Sequence, residues 1–284
     1  MVDPFFINDP AVVSFSGGRT SGYMLWRIIQ AHGGTLPKHI VVCFANTGRE
    51  MPATLDFIAR CSEEWGVHIV WLEYRWQPGA HGYEVVSHNS ASRNGEPFEF
   101  MLAGKSMLPN PVMRFCTTEL KIRTIKRYVN AELGWDNWNN IVGLRADEKR
   151  RVERLHTRQK KEKSGVLTPL YDAGVTQADV FAFWRAQPFD LELAGPWEGN
   201  CDGCFLKSRA AISRMMIDHP DRMEWWAKAE TLFASTVRTA PAMALFRKDR
   251  EDYATMARVI RDQGQLPFTR EEVFGPCENG GCGV

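Results

Sequence analysis

The sequence predicts an α/β fold: an open parallel sheet of about five strands with helices on both faces, followed by a helical C-terminal region. Two observations predict it. Between Ala11 and Glu73, short apolar runs alternate with stretches of helical periodicity, in the order β-α-β-α-β. Such alternation builds parallel sheets through right-handed crossovers. The chain has 284 residues, 44% of them hydrophobic and 24% charged, enough for one large domain, or a domain with an appendage, around a sizeable core.

Ala11-Val-Val-Ser-Phe15 reads as a buried strand that runs at once into a Gly-Gly turn. From Thr20 to His32, Met24, Leu25, Ile28 and Ile29 recur at helical spacing. His39–Phe44 is a second buried strand. Pro52 then opens a helix to about Trp65, at a position where its missing N–H costs nothing. Val67–Glu73 is a third strand. Residues 75–111 are rich in Gly, Asn, Ser and Pro without periodicity, and are expected to form a long loop, an active-site lid or a mobile segment. A helix over Thr117–Leu133, a strand at Asn140–Val142 and an extended piece at Val166–Leu170 follow. Thr176-Gln-Ala-Asp179 fits a capping box that opens a helix ending near Pro188. Helices are expected at Ser208–Asp218, Arg222–Phe233 and Glu251–Gln263, then a Gly-rich tail. The domain boundary falls near residue 190, with residues 1–190 as the α/β domain and 191–284 as a cysteine-bearing helical region packed on it.

Composition excludes several classes. A formal charge of +1 gives no global pull toward nucleic acid or membrane. No run of about 18 apolar residues exists, so no membrane span or membrane partner is expected. Met1-Val-Asp-Pro-Phe-Phe6 is not a basic region followed by an apolar one, so no signal peptide is expected and the location is cytoplasmic. Seven cysteines are an odd number for a disulfide framework, which leaves core thiols, reactive thiols or metal ligands.

The loop Ser14-Phe-Ser-Gly-Gly-Arg-Thr-Ser21 places two glycines and four hydroxyls between a strand and a helix. Glycines let a backbone approach an anion, and a helix N-terminus offers N–H groups and the positive end of a dipole. The loop has neither the Gly-Lys-Ser/Thr ending of a Walker loop nor a Gly-x-Gly-x-x-Gly pattern. A tight strand-to-helix turn with a capping serine is the plain alternative. Cys201-Asp-Gly-Cys204 has the spacing of a metal or cluster ligand pair, or of a redox dithiol. Cys116, at the head of a helix where the dipole favours thiolate, would be a third ligand, and Cys277 or Cys282 a fourth. Cys43 and Cys61 lie in apolar patterns and are expected in the core. Arg145–Lys163 holds nine Lys/Arg and four Asp/Glu, a local +5 that leaves −4 elsewhere. That is the footprint of a polyanion partner, nucleic acid or nucleotide phosphate, or else a solvated helical face.

Several of these segments carry a family resemblance. Ser16-Gly-Gly-Arg-Thr-Ser21 resembles the Ser-Gly-Gly-x-Asp-Ser motif of the adenine nucleotide alpha-hydrolase-like (PP-loop) superfamily. Asn46-Thr-Gly-Arg-Glu-Met-Pro-Ala-Thr54, Arg114-Phe-Cys-Thr-Thr-Glu-Leu-Lys121, Gly143-Leu-Arg145, and Thr168-Pro-Leu170 with Asp179–Trp184 are similar, in order, to segments of its phosphoadenosine phosphosulfate (PAPS) reductase family. The departures are Thr20 where Asp is usual and Ala53 where Glu is usual. The resemblance implies a Rossmann-like PP-loop fold and an adenine nucleotide, ATP or PAPS with Mg2+, held by Ser14, Ser16, Gly17, Gly18, Arg19, Thr20 and Ser21. Asn46, Thr47, Gly48 and Gly143 would lie beside it, and Arg145 would reach a phosphate or sulfate.

The resemblance also implies a four-iron, four-sulfide (4Fe-4S) cluster on Cys116, Cys201 and Cys204, with Cys277 or an open iron completing it and zinc as the alternative metal. Cys282 in Gly-Cys-Gly-Val284 is similar to a C-terminal catalytic cysteine in the Cys-Gly pair alone. Three functions follow as expectations. The first is an ATP-dependent sulfurtransferase acting on a nucleic-acid or nucleotide acceptor, served by a sulfur or electron donor protein. The second is a PAPS or adenylyl-sulfate reductase that releases sulfite. The third is a non-catalytic nucleotide- and metal-binding module.

Overall fold

The computed structural model describes residues 3–77, 80–159, 165–236 and 243–263. Strands β1 (Ala11–Ser14), β2 (Ile40–Asn46) and β3 (Ile69–Gln77) alternate with helices α1 (Arg19–Ala31) and α2 (Pro52–Glu64). They are followed by β4 (Ala80–Val86) and α3 (Glu96–Ala103). A continuous helical run then passes through a wide-turned segment Thr117–Arg123, α4 (Thr124–Tyr128) and a second wide-turned segment Val129–Leu133. Strand β5 (Asn139–Ile141), α5 (Lys149–Gln159), β6 (Val166–Leu167), α6 (Pro169–Asp172) and α7 (Gln177–Arg185) complete the α/β part. Helices α8 (Arg209–Asp218), α9 (Pro220–Thr236) and α10 (Tyr253–Gln263) form the C-terminal region.

The sheet order is β4-β3-β2-β1-β5-β6, parallel throughout except for β4, which runs antiparallel to β3. Alternation along the strands sends each side to a different layer. Val13, Val42, Phe44, Ile69 and Trp71 pack under α1, α2 and α7 with Leu25, Leu55 and Trp184. Val12, Cys43, Ala45, Val70 and Leu72 face the opposite way, onto Ile125 and Val129 of the long helical run. Helices therefore cover both faces, as the apolar strand runs require. Thr176 accepts from the Asp179 backbone N–H while the Asp179 carboxylate accepts from the Thr176 N–H, the capping box expected at the head of α7.

Two expectations need correction. The sheet has six strands rather than about five, because residues expected to be a long loop form β4 and α3. Strand β4 is a mostly exposed edge carrying Gly82 and Glu84, so it has no apolar run to announce it. Helix α3 has only eight residues, and Phe98, Met101 and Leu102 bury it in a second core. That core also holds Met51, Tyr74 and Leu120 together with Phe205, Ile212, Met215, Trp226, Phe246 and Tyr253. The C-terminal helices thus share their apolar interior with residues 51–120. The extended piece expected at Val166–Leu170 is a two-residue strand that turns helical at Pro169. Among the described residues no helix is long and apolar enough to cross a membrane.

Within the C-terminal region, Glu230 accepts from the backbone N–H groups of Phe246 (3.0 Å) and Tyr253 (2.7 Å), joining α9 to the segment before α10. Burial is the main cause that lifts its carboxyl from the usual range to about 7. A raised folded-state value means the folded protein binds more protons than the unfolded chain between about pH 4.5 and 7. Stability should therefore fall as pH rises through that window. Thermal melts should show this slope in the wild type and a shallower one in Glu230→Gln.

Candidate functional site

Strands β1, β2 and β5 are mutually parallel, so the turns that follow them open on the same carboxyl edge, where open parallel sheets bind ligands. The turn after β1 contains Gly17 at φ +77°, in the left-handed region. A Cβ there would stand 2.7 Å from Thr54 Cγ2 and 2.8 Å from Ile58 Cδ1, so only glycine lets the loop lie this close to α2. Gly18 is the N-cap of α1 and supplies no side-chain cap, and the first turn of α1 carries no acidic residue. The first turn of α1 thus brings no carboxylate of its own to the positive end of the helix.

Inside the loop, Ser16 Oγ and Ser21 Oγ lie 3.0 Å apart, and Ser21 Oγ donates to Gly18 O at 2.9 Å. The indole of Trp184 donates to Arg19 O at 2.8 Å and pins the loop to α7. A cavity of about 180 Å³ opens here. Ser14, Ser16, Gly17, Gly18, Arg19, Thr20 and Ser21 line it, with Gly143 and Arg145 after β5 and Gly199 and Asn200 from the C-terminal region. The structure therefore brings together the residues expected from both turns.

Arg145 is buried, 2% exposed. Its Nε donates to Asp147 Oδ1 at 2.9 Å and its Nη1 donates to Thr20 Oγ1 at 3.1 Å. The ion pair with Asp147, which by itself would mark a surface salt bridge, is buried at the arginine end and fixes that side chain against the loop. Thr20, where an Asp is usual, serves as the acceptor for this contact. Arg19 does not point a free cation at the cavity: its Nε donates to Asp190 Oδ1 at 2.7 Å and its Nη2 donates to Leu191 O. The charge ties the loop to the chain after α7.

Asn46 ends β2, and Thr47 and Gly48 follow it at the same sheet edge, but none of the three is among the residues lining this cavity. Asn46 is fully buried and donates to Glu73 Oε1 at 2.6 Å and to Ser92 O at 2.8 Å. Thr47 Oγ1 donates to the buried Glu50 carboxylate and lies 3.3 Å from Cys201 Sγ. At this turn the sheet edge meets the cysteine loop. Behind it, Asp202 is completely buried and accepts from Arg49 Nη2 (2.6 Å), Arg222 Nε (2.8 Å) and Trp226 Nε1 (2.7 Å). The Asp202 N–H donates to Arg49 O at 2.8 Å, closing the link between the two loops.

Cys116, Cys201 and Cys204 are half-buried and form no disulfide. A charge on Cys204 raises the pKa of both Cys116 and Cys201, and Lys121 lowers both, so the three sulfurs share one neighbourhood with a lysine beside it. The expectation that a helix head favours the Cys116 thiolate is corrected: burial dominates and pushes its thiol up to about 11. Cys201 is also raised, chiefly by burial and then by Glu50. Thiols in this setting suit a thiolate-binding group that pays for ionisation by coordination. Among the described residues, no three His, Cys, Asp or Glu side chains are drawn together tightly enough for a single ion. Three half-buried thiols with a lysine beside them are donors that either a cluster or zinc takes. Cys43 and Cys61 are buried core residues, with the Cys43 thiol pushed to about 12 by burial. Cys277 and Cys282 lie outside the described residues.

Sequence reasoning did not find Arg49, Glu50, Asp202 or Arg222. They are separated by up to 173 residues and carry no local pattern; the only hint was an acidic residue inside the Cys-x-x-Cys. The same holds for Gln177, Val180 and Phe181 of α7, which line the cavity wall.

No protein-family profile matches the chain. Over 207 residues it is 32% identical to an uncharacterized nin region protein, ORF290, of Escherichia phage lambda, covering 71% of this chain and 67% of that one. Similar solved structures include a phosphoadenylyl-sulfate (PAPS) reductase from Candida auris, in a phosphate complex. It has 17% identity, covers 64% of this chain and 75% of that one, and has a TM-score of 0.39. Another is the U34-tRNA thiolase NcsA from Methanococcus maripaludis with its [4Fe-4S] cluster, at 11% identity, covering 95% and 86% with a TM-score of 0.43.

Proposed function

The chain belongs to the family of the phage lambda nin region protein ORF290, and we propose that it is an adenine-nucleotide-dependent sulfur-transfer enzyme. The observation that carries this reading is the cavity itself. One space is lined by the Ser14–Ser21 loop and by Asn200, and the next residue in the chain, Cys201, belongs to the thiol group beside it, so a phosphate cradle lies one residue from the cysteine loop. A nucleotide held by its phosphates at the head of α1 would be activated within reach of sulfur chemistry.

In the proposed reaction the phosphates of ATP, with Mg2+, sit against the N–H groups and hydroxyls of residues 16–21. An oxygen of the acceptor attacks the α-phosphorus and pyrophosphate leaves. A sulfide-level sulfur then adds at the activated carbon and AMP departs with the acceptor's oxygen. Arg145, fixed by Asp147 and by Thr20, adds positive charge where the phosphates collect. Cys116, Cys201 and Cys204 would hold a 4Fe-4S cluster, which when bound supplies a site to carry that sulfur. Lys121 would favour the thiolate form of the ligands. A sulfur or electron donor protein would reload the site, and Cys277 or Cys282 would supply a further thiol.

Anaerobic purification with iron and sulfide assays, together with parallel calorimetric titrations of ATP and PAPS, tests this reading. ATP binding and about four iron per chain are expected. A colourless protein with stoichiometric zinc removes the cluster. Tight binding of PAPS with no affinity for ATP replaces sulfur transfer by the sulfite-releasing reductase. If ATP binds yet Ser16→Ala and Cys201→Ala leave activity in the host unchanged, the non-catalytic module is the better reading.

A nucleic-acid acceptor is part of the proposal. Helix α5 buries Val152 and exposes Lys149, Arg150 and Arg154 a short distance along the chain from Arg145. Exposed cations of this kind, with Glu153 exposed among them, suit a phosphate backbone. Replacing Lys149, Arg150 and Arg154 together by Glu should weaken single-stranded RNA binding at low salt at least tenfold. The slope of log affinity against log salt should flatten by about 0.7 for each phosphate that the variant no longer neutralises. Binding curves unchanged by the substitutions would place the acceptor elsewhere. Residues 160–163 of the basic stretch lie outside the described residues.

A further inference from the structure

Asn200 combines three properties that no other described residue shares. It lines the cavity bordered by the Ser14–Ser21 loop. It is the one non-glycine residue among those described with a positive φ, at 60°. And it immediately precedes Cys201. A non-glycine residue held in the left-handed region is strained unless its surroundings over-determine it, and such residues gather at functional sites. Asparagine is among the side chains that tolerate this conformation best.

Two anchors hold it in this conformation. Upstream, the short turn Pro196–Glu198 is fixed by the Glu198 carboxylate, which accepts from the Ala194 N–H at 2.7 Å and pairs with His219 Nε2 at 2.5 Å. Downstream, Asp202 is locked by Arg49, Arg222 and Trp226. The chain bends between these two anchors, and Asn200 takes the left-handed conformation within that bend. Its amide is not taken up by a hydrogen bond to another described residue. One side-chain amide offers both donors and an acceptor to whatever fills the cavity.

From this we infer that Asn200 is a positioning residue with two tasks: its amide hydrogen-bonds polar groups of the bound nucleotide, and its left-handed backbone makes the bend that carries the chain from the cavity into the cysteine loop, where the Cys201 sulfur lies against Thr47. The inference rests on the nucleotide reading of the cavity. It deepens that reading by naming the residue that joins the nucleotide to the thiol loop.

Asn200→Gly separates the two tasks, because glycine adopts the bend freely but has no amide. Calorimetric titration with ATP and a thermal melt are made on the wild type, Asn200→Gly and Asn200→Ala. The expected result is a wild type that binds ATP, an Asn200→Gly protein with an unchanged melting temperature and about fivefold or greater loss of ATP affinity, and an Asn200→Ala protein with the same affinity loss and a lower melting temperature. Wild-type affinity in Asn200→Gly overturns the amide contact. A lower melting temperature in Asn200→Gly together with weaker binding makes the residue merely structural and overturns the inference. An unchanged melting temperature in Asn200→Ala overturns the backbone task. A wild type that binds neither ATP nor PAPS overturns the nucleotide reading first, before any variant is compared, and this inference with it.

Discussion

Replacing Asp202 by Ala should destabilise the protein by about 3–5 kcal/mol, because it removes one partner of a buried ion network and strands the others. Asp202 is fully buried and Arg49 is 3% exposed. The carboxylate accepts from both guanidinium groups and from the Trp226 indole. Arg49 and Arg222 keep other acceptors, Arg222 O and Glu50 O, but neither of those carbonyls neutralises a charge. For a chain of this size the change corresponds to a drop in melting temperature on the order of 10 °C. Asp202→Asn keeps acceptor oxygen at the site and should fall between the two. Urea unfolding measures the difference directly, and a loss below about 1 kcal/mol would show that the network is solvated in solution. The network spans the turn after β2 and the Cys-x-x-Cys loop, so the iron content of the proposed cluster should fall in step with stability.

A second substitution separates binding from folding. Gly18→Asp is expected to leave the protein as stable as the wild type or slightly more so, while reducing ATP affinity about a hundredfold or more. Gly18 has φ −100° and ψ 159°, the extended conformation usual for an N-cap, and an added Cβ meets only Ser16 Oγ at 3.7 Å. Aspartate is a preferred N-cap, and its charge suits the positive end of α1. That same carboxylate would stand where the phosphates are proposed to bind. Thermal melts and ATP titrations on one preparation read both effects. If α1 were only a strand-to-helix connection, the substitution would change neither binding nor any cellular activity.

The parts of this molecule that were legible in the sequence are those with a short-range physical cause. Three apolar runs and two amphipathic stretches place β1 to β3 with α1 and α2, since a buried parallel strand has to be apolar on both faces. Thr176 and Asp179 reveal the head of α7 because a capping box is a local arrangement. The Ser14–Ser21 loop was visible for the same reason. Strand β4 was not, because an edge strand facing solvent keeps polar residues and a glycine, the composition of a loop. The partners of Arg19 and Arg49 were hidden for a different reason: Asp190 and Asp202 lie 171 and 153 residues away, and only the fold brings them together. Arg19 looks like a phosphate ligand in the sequence, yet its guanidinium is occupied in holding the loop to Asp190 and Leu191. Arg145 lines the cavity with the loop, as a buried charge shared between Asp147 and Thr20.

The central claim is that the Ser14–Ser21 loop holds the phosphates of an adenine nucleotide, and a crystal structure of the protein with a non-hydrolysable ATP analogue tests it most directly. The account predicts phosphate oxygens within hydrogen-bonding distance of the backbone N–H groups at the head of α1, with the remainder of the nucleotide in the cavity between Gly143 and Asn200. A nucleotide bound elsewhere on the protein, with this loop unoccupied at saturating ligand, would contradict it.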